Sequence, residues 1–277
     1  MRAVRFVDPT GGVRVGALSD DGTVRDAGEA GPRGFVPTAE AWTGIASAAG
    51  PEHALGQVRL LHPVVPEKIL AVGLNYRSHA EESELAVPAV PVVFAKWTSS
   101  LIGSGEPIVI PHEETRPDFE GEVAIVIGRR TYRAGSEDAA DAIGGITALH
   151  DVSGRRAQLE TPLRQFTLGK SFDTFTPMGP AIASPDGIDL EDIDVRTTVA
   201  DEVMQDANTR DLIFSVTQLI VYLSAGVTLE PGDVIATGTP GGVGDSRQPP
   251  RYLRPGDTVS IDVSGVGTLT NPVAAES

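Results

Sequence analysis

The 277-residue sequence contains no cysteine. This absence excludes disulfide bonds, thiolate metal sites and cysteine nucleophiles together. Long hydrophobic runs are also absent: the longest aliphatic stretch, Leu219 to Leu223, is far too short to span a bilayer. The N-terminal residues pass from an alternating strand pattern directly into a turn, so we expect no signal peptide. These features together predict a cytoplasmic protein that does not enter a membrane.

Basic residues are scarce as well. The sequence has 22 Lys and Arg against 38 Asp and Glu, which gives a formal net charge of −16. Nucleic acids and anionic membranes are bound through basic patches, so neither is an expected partner. A small anionic substrate would need a local cluster of cations that overrides the negative field of the whole protein.

The chain is rich in short alternating segments that are separated by turn signals, such as AVRFV and GVRVGAL on either side of DPTGG. Helices are predicted over TAEAWTGIASAAG, with Thr38 as its cap, and over the long amphipathic segment TRDLIFSVTQLIVYLSAG. The pattern predicts an α+β, β-rich fold with helices as covering elements. A proline-rich extended run near residues 58–68 predicts a boundary between a small N-terminal β-rich domain, 1–62, and a larger domain, 67–277.

Three carboxylates alternate with other residues in the segment PDFEGEVAIVIG, before it becomes apolar. A strand that begins at Asp118 would place Asp118, Glu120 and Glu122 on one face. Residues on one strand face are roughly 6.5–7 Å apart, so these charges would repel each other. Two interpretations stay open: a solvated strand end, or an oxygen-ligand site for a hard divalent cation such as Mg²⁺ or Mn²⁺.

A further ligand is expected at another strand end, because two carboxylates cannot fill the six positions around such an ion. Asp151, in ALHDVSGRR, stands where apolar alternation gives way to polar residues, and it is the favoured candidate. His150 would point to the opposite face of a continuing strand, which favours a structural role for it.

A histidine and a glutamate stand three residues apart in NYRSHAEES. On a helix, His79 and Glu82 would share a face and could form a hydrogen bond. A histidine that is oriented by a carboxylate can act as a general base near neutral pH. An exposed helix can also carry such a pair without any function.

Two lysines and a glycine-rich loop are further candidates. Lys96 ends the apolar strand VVFAK, and Lys170 lies in LGKSF. A lysine that is buried at either place needs an anion as its partner. The alternative is that each lysine stands at a solvated rim. The loop in GDVIATGTPGGVG, which begins at Gly238, could direct backbone N–H groups at an anion or simply form a tight turn. It matches neither a P-loop nor a dinucleotide-binding fingerprint.

Taken in order, these segments resemble the fumarylacetoacetate hydrolase family. The matching motifs span residues 69–272 and are GLNYRSHAEE, VVFAKWTSSLIGSGEPIVIP, DFEGEVAIVIG, HDVSGR, LGKSFDTFTPMGP, NTRDLIFSVTQLI, LEPGDVIATGTPGGVG and GDTVSIDVSGVGTLTN. Each motif alone is weak, but the ordered set is specific. It is most similar to the bacterial branch of 2-hydroxyhepta-2,4-diene-1,7-dioate isomerases and acylpyruvate hydrolases.

The resemblance implies a mixed β-roll that holds Mg²⁺ or Mn²⁺ at its mouth and forms a homodimer. The metal ligands that it implies are Glu120, Glu122 and Asp151, with Asp118 in a flanking role. The chain departs from the family motif at His150 and Arg156, which replace an amide and an acid.

The resemblance also implies roles in catalysis and substrate binding. His79 and Glu82 match the family's lid dyad, which activates water. Lys170 matches its substrate-binding lysine, and Thr239 matches a threonine that contacts the substrate carboxylate. Further candidates for substrate binding are Lys96, Arg155 and Gly238.

The implied reaction acts on a small anionic 2-oxo acid through a metal-bound enolate. The leading expectation is hydrolysis of the C–C bond of an acylpyruvate by water that His79 deprotonates. Decarboxylation of oxaloacetate and isomerisation of 2-hydroxyhepta-2,4-diene-1,7-dioate pass through the same kind of enolate and stay open. A non-catalytic protein that binds a metal or a small acid is the alternative from another class, and it would have no need of the dyad.

Overall fold

A computed structural model describes all residues, 1–277, and shows many strands with short helices. The strands are β1 Arg2–Val7, β2 Val13–Leu18, β3 Thr23–Glu29, β4 Glu52–Ala54, β5 Arg59–Leu61, β6 Ile69–Gly73, β7 Val92–Lys96, β8 Leu101–Ile102, β9 Ile108–Ile110, β10 Pro117–Asp118, β11 Gly121–Ile127, β12 Ile143–His150, β13 Ser153–Gly154, β14 Thr176–Ala183, β15 Asp194–Val199, β16 Glu202–Asn208, β17 Val234–Ala236, β18 Thr258–Val263 and β19 Gly267–Ala275. The α-helices are α1 Ala39–Ala46, α2 Arg77–Glu82, α3 Ser136–Asp141, α4 Arg155–Leu159, α5 Phe166–Gly169 and α6 Val216–Ser224. None of these helices is long and apolar enough to cross a bilayer.

Twelve strands form one large sheet. Its main path runs in the order β4-β3-β2-β1-β14-β12-β11-β17-β6-β7, with β5 beside β1 and β8 beside β14. Most neighbours are antiparallel, but β17 with β6 and β14 with β8 are parallel. The α+β, β-rich class with a mixed sheet is therefore confirmed. Because β1 pairs with β14, the N-terminal strands belong to this same sheet, and the division into domains 1–62 and 67–277 stays a prediction.

A second sheet, in the order β16-β15-β18-β19-β9, packs against the large one. Strand β11 lies where burial is greatest. Its residues Ile125 and Ile127 contact the main core between the sheets, whereas Ala124 and Val126 belong to a second core that includes residues of α1. Side chains alternate along a strand, so a strand that is covered on both faces is apolar at successive positions. This explains the apolar half of the segment that begins with carboxylates.

The two longest helices begin at side-chain caps. At the start of α1, the Thr38 hydroxyl accepts a hydrogen bond from the backbone N–H of Ala41 at 3.2 Å, as predicted. At the start of α6, Ser215 accepts one from the backbone N–H of Gln218 at 3.3 Å. Each cap satisfies one of the N–H groups that a helix start leaves without a partner.

The prediction of one long helix over residues 209–226 is wrong, because the chain forms a separate 3-10 turn over Thr209–Asp211 before α6. Between the 3-10 turn and α6, Asn75 accepts hydrogen bonds from backbone N–H groups that a continuous helix would use internally. The N–H of Ile213 donates to the Asn75 carbonyl at 2.7 Å, and the N–H of Phe214 donates to the Asn75 side chain at 2.8 Å. A side chain that is distant in sequence thus ends the helical pattern.

Candidate active site

A cavity of about 450 Å³ opens where several strands of the large sheet end. It collects residues from separate segments of the chain: His79, Glu82, Glu120, Asp151, Arg155, Gln158, Lys170 and Thr239. The predicted catalytic residues therefore line one cavity. Of the other predicted site residues, Lys96, Glu122 and Gly238 lie behind its wall. Lys96 contacts Asp151, Glu122 lies close to Glu120 and Asp151, and Gly238 contacts Glu122.

Three buried carboxylates meet at the cavity wall, two of them lining the cavity and Glu122 directly behind them. Oxygen atoms of Glu120, Glu122 and Asp151 lie within 4.8 Å of one another. Glu120 lies in the gap between β10 and β11, Glu122 is the second residue of β11, and Asp151 directly follows β12. The backbone N–H of Asp151 donates to the Glu120 carbonyl at 2.9 Å, which holds the two segments together. We refer to these carboxylates, with their partners Lys96, Arg155 and Lys170, as the floor.

The carboxylates of the floor differ in their electrostatic surroundings. Burial and the negative charges of Asp151 and Glu120 raise the pKa of Glu122 well above its ordinary value. For Glu120, burial also acts to raise the pKa, but the Lys170 and Arg155 charges outweigh it and hold the pKa below its ordinary range. A divalent cation would relieve the repulsion on Glu122. A donor set made only of oxygen suits a hard cation of the Mg²⁺ or Mn²⁺ type.

The uninterrupted strand from Asp118 is not formed, because Phe119 and Glu120 lie outside both β10 and β11. Asp118 is accordingly not part of the carboxylate cluster. Its side chain accepts hydrogen bonds from the N–H of Gly244 at 2.7 Å and from Arg155 Nε at 2.9 Å. It therefore connects the glycine-rich loop to Arg155 and flanks the cluster.

Three cations hold the carboxylates in place. Lys170 Nζ lies 2.6 Å from Glu120 Oε2 and 2.8 Å from Asp151 Oδ2. Arg155 Nη2 lies 2.7 Å from the other Glu120 oxygen. Lys96 Nζ lies 2.6 Å from Asp151 Oδ1 and also donates to the Lys170 carbonyl. The Lys96 side chain is fully buried, so it supports Asp151 from behind, whereas Lys170 and Arg155 also line the cavity.

The predicted dyad is formed on α2. His79 Nδ1 lies 2.7 Å from Glu82 Oε1, and the other Glu82 oxygen accepts a hydrogen bond from the N–H of Gly242 at 2.7 Å. One turn earlier on α2, the Ser78 hydroxyl accepts a hydrogen bond from the N–H of Gly241 at 3.1 Å. Because Nδ1 is held by a carboxylate, Nε2 is the ring nitrogen that can exchange a proton with a ligand. The helix is docked on the glycine-rich loop at two points.

The backbone N–H groups of the glycine-rich loop donate hydrogen bonds to carboxylates of the protein itself. The N–H of Gly238 donates to Glu122 Oε2 at 2.8 Å, beside the contacts with Glu82 and Asp118 described above. Gly238 has φ of +105°, and a Cβ atom there would lie 2.8 Å from the Cβ of Asn75. Only glycine tolerates both conditions. Thr239 donates to the Gly121 carbonyl at 3.0 Å and faces the cavity.

The sequence patterns do not single out Gln158, which lines the cavity, or Glu114, which supports α4 from outside it. Gln158 is buried, lines the cavity and accepts a hydrogen bond from Arg155 Nη1 at 3.0 Å. Its spacing of three residues from Arg155 on α4 is the signal that could have found it. Glu114 caps α4 from a distant loop, because its carboxylate accepts from the N–H groups of Arg156 at 3.0 Å and Ala157 at 3.1 Å. No local pattern predicts that contact.

His150 is buried, and its Nε2 has no hydrogen-bond partner. Burial, followed by the positive charge of Lys96, lowers the pKa of His150 to about 3. The imidazole is therefore neutral at physiological pH, which agrees with a structural role.

Comparison with known proteins shows the family to which the chain belongs. Residues 68–274 match the fumarylacetoacetate (FAA) hydrolase C-terminal domain. The chain is 39% identical over 287 residues to the oxaloacetate tautomerase fahd2, mitochondrial, of Xenopus laevis, which covers 99% of this chain and 90% of that protein.

Two solved structures are also similar along the whole chain. The 5-carboxymethyl-2-hydroxymuconate delta-isomerase of Mycobacterium smegmatis has a TM-score of 0.83 at 37% identity and covers 100% of both chains. The 2-hydroxyhepta-2,4-diene-1,7-dioate isomerase of Mycobacterium marinum has a TM-score of 0.81 at 36% identity and covers 100% of this chain and 99% of that one. The chain therefore belongs to the fumarylacetoacetate hydrolase family of enzymes.

Proposed function

We propose that the protein is a divalent-metal-dependent enzyme that moves a proton at the carbon next to the keto group of a small 2-oxo dicarboxylate. Oxaloacetate is the first substrate to test. The observation that carries the proposal is that Glu120 and Asp151 of the carboxylate cluster line the same cavity as His79, whose imidazole is oriented by Glu82. The similarity to proteins named as a tautomerase and as isomerases supports the same class of reaction.

The candidate metal ligands and catalytic residues each have a place in this reaction. A divalent cation held by Glu120, Glu122 and Asp151 would supply the positive charge that stabilises the enolate of the substrate. In the keto-to-enol direction His79 Nε2 takes a proton from C3, and the enolate oxygen at C2 gains a proton from solvent. In the enol-to-keto direction the hydroxyl at C2 loses its proton to solvent and His79 Nε2 delivers a proton to C3, while Glu82 balances the charge of the imidazolium. Lys170 presents its ammonium group at the cavity wall, where it stabilises negative charge on the substrate.

Hydrolysis of an acylpyruvate is the second candidate. It is favoured by the His79–Glu82 pair itself, because a base of this kind can also deprotonate a water molecule. The hydroxide would attack the distal carbonyl carbon. The C–C bond next to this carbon would then break, and its electron pair would remain on the 2-oxo acid fragment as an enolate. Decarboxylation of oxaloacetate needs an electron sink but no base, so it should depend on His79 much less.

The test compares three reactions of the purified protein with Mg²⁺ or Mn²⁺. These are conversion of enol-oxaloacetate to the keto form, loss of CO₂ from oxaloacetate, and cleavage of acetylpyruvate. His79→Ala should lower the tautomerisation rate by about 10²–10⁴-fold, since this is the usual contribution of a general base, and should lower decarboxylation far less. His112→Ala, at an exposed site, is the matched control.

Equal losses in tautomerisation and decarboxylation would contradict the role of His79 as base. Cleavage of acetylpyruvate without tautomerisation would favour the second candidate. We also propose that the enzyme is cytoplasmic, forms a homodimer and binds neither nucleic acid nor membranes; light scattering on the purified protein tests the dimer.

A further inference from the structure

Arg164 differs from Lys170 and Arg155, which also line the cavity, because its charge has no partner within the protein. Lys170 contacts Glu120 and Asp151, and Arg155 contacts Asp118 and Glu120. Arg164 also lines the cavity, but its side chain is exposed and makes no ion pair or hydrogen bond within the protein. It is a guanidinium group available to a ligand.

The backbone ties Arg164 to the active site. Residues 160–165 join α4, which carries Arg155 and Gln158, to α5, which directly precedes Lys170. The N–H of Arg164 donates to the Thr161 carbonyl at 3.2 Å, and the next N–H in the chain, of Gln165, donates to the Gln158 carbonyl at 2.9 Å.

The conformation of Arg164 itself is unusual. Its φ is +31°, in the left-handed region that non-glycine residues enter only at a cost. Such a conformation persists only where the surrounding structure holds it, and residues of this kind cluster at ligand sites. The strained backbone position and the unused charge are independent observations about one residue.

Other residues that line the cavity also leave polar groups free for a ligand. Ser246 and Gln248 line the same cavity, and their side chains make no hydrogen bond within the protein. Glu84 also lines it and brings a negative charge, as does the protein as a whole. An anion at this place therefore needs a counter-charge, and a guanidinium group can bind a carboxylate through two hydrogen bonds. We refer to Arg164, Glu84, Ser246 and Gln248, with α2, as the mouth.

We propose that Arg164 binds the distal carboxylate of the substrate and so selects 2-oxo dicarboxylates over 2-oxo monocarboxylates. This inference rests on the proposed function, in which the 2-oxo acid end of the substrate lies at the floor. The other end of a four-carbon substrate then points to the mouth, where Arg164 is the cation without a partner.

A matched pair of substrates tests the proposal. Oxaloacetate and 2-oxobutyrate differ only by a carboxylate or a methyl group at C4, and their enolisation can be followed by exchange of the C3 hydrogens with deuterium. Arg164→Gln should lower kcat/KM for oxaloacetate about tenfold, mainly through KM, and should leave 2-oxobutyrate unchanged within about twofold. Arg164→Lys should recover part of the loss, and added salt should reduce the preference.

Arg156→Gln is the control variant. Arg156 lies on α4 close to the same loop and carries the same charge, but it pairs with Glu160 and does not line the cavity. Equal losses for both substrates in Arg164→Gln would overturn the proposal, because they would mean that Arg164 only supports the loop. The same selective loss in Arg156→Gln would also overturn it, since net charge would then explain the effect.

A binding experiment separates this proposal from the proposed function. Malate and 2-hydroxybutyrate differ in the same way at C4, and neither can form an enolate. With Mg²⁺ present, calorimetry should show that the wild-type protein binds malate more tightly and that Arg164→Gln loses this preference. A wild-type protein that turns over neither keto acid would refute the proposed function, whereas equal affinity for malate and 2-hydroxybutyrate would refute the role of Arg164.

Discussion

The floor and the mouth of the cavity differ in how their charges are used. At the floor, each cation contacts at least one carboxylate, and Glu122, the carboxylate without a cation at contact distance, receives the N–H of Gly238. At the mouth, Arg164 and Glu84 make no side-chain contact with an opposite charge. A fully paired cluster holds its geometry, whereas free charges are available for recognition. The comparison shows that the charges of the floor are engaged within the protein, whereas Arg164 and Glu84 at the mouth are free to meet a ligand.

The most severe test of the floor is Glu122→Gln. The substitution keeps the shape of the side chain but removes the carboxylate whose pKa is raised by burial and by the charges of Asp151 and Glu120. Affinity for Mg²⁺ should fall about 100-fold or more, and activity with it, since a hard cation depends on charged oxygen ligands. Calorimetry measures the affinity. Glu113→Gln, at an exposed site, is the control, and an unchanged Mg²⁺ affinity in Glu122→Gln would refute the assignment of this ligand.

Lys96→Met tests whether the floor depends on its buried support. Removing the ammonium leaves Asp151 with one cation instead of two, inside the protein. The free energy of unfolding should fall by about 3–5 kcal/mol, as expected when one partner of a buried ion pair is lost. Urea unfolding measures it. A loss as small as that of an exposed substitution, about 0.5 kcal/mol, would show that Lys96 contributes little to holding the floor.

At the mouth, Glu82→Gln should reduce the tautomerisation rate by about tenfold, less than the loss of His79 itself. The amide can still hold the imidazole in place but does not balance the positive charge that develops on it. Steady-state kinetics measure this effect, and circular dichroism checks that α2 is retained. A loss as large as that of His79→Ala would mean that Glu82, rather than His79, exchanges the proton.

The smallest effect is expected in local motion. The segment from Arg77 to Leu85 is mostly polar and rests on the glycine-rich loop through Ser78 and Glu82, so its hydrogen bonds should open more easily than those of β11. Oxalate with Mg²⁺ should slow hydrogen exchange in residues 77–85 and leave β11 unchanged. Equal exchange with and without oxalate would show that this part of the mouth does not close over ligands.

The floor could be predicted from the sequence because its residues mark strand ends. Glu122 and Asp151 stand where apolar alternation meets polar residues, and the buried strands β11 and β12 bring them together. The roles of the cations could not be assigned in the same way. Lys96 was expected to bind substrate, a role that stays a prediction, whereas its ammonium contacts Asp151 and lies behind the cavity wall.

The rest of the structure depends on contacts between distant segments. No pattern in the letters DFEGE indicates the break between β10 and β11. Asn75 prevents one continuous helix over residues 209–226 through hydrogen bonds with Phe214, which is more than 130 residues away. Glu114 caps α4 in the same manner. Arg164 lies in a loop without periodicity, and only its conformation and its lack of a partner in the folded protein single it out.

The pairing of β1 with β14 delays one step of folding during synthesis. Arg2 lies opposite Ala183, so β1 leaves the ribosome 181 residues (183 − 2) before this partner exists. At about 5–20 residues per second, that delay is on the order of ten seconds or more. During it, Val4 and Phe6 lack the cover of Ala181, which completes their apolar cluster. The nascent chain therefore presents an unfinished sheet edge of the kind that chaperones shield from aggregation.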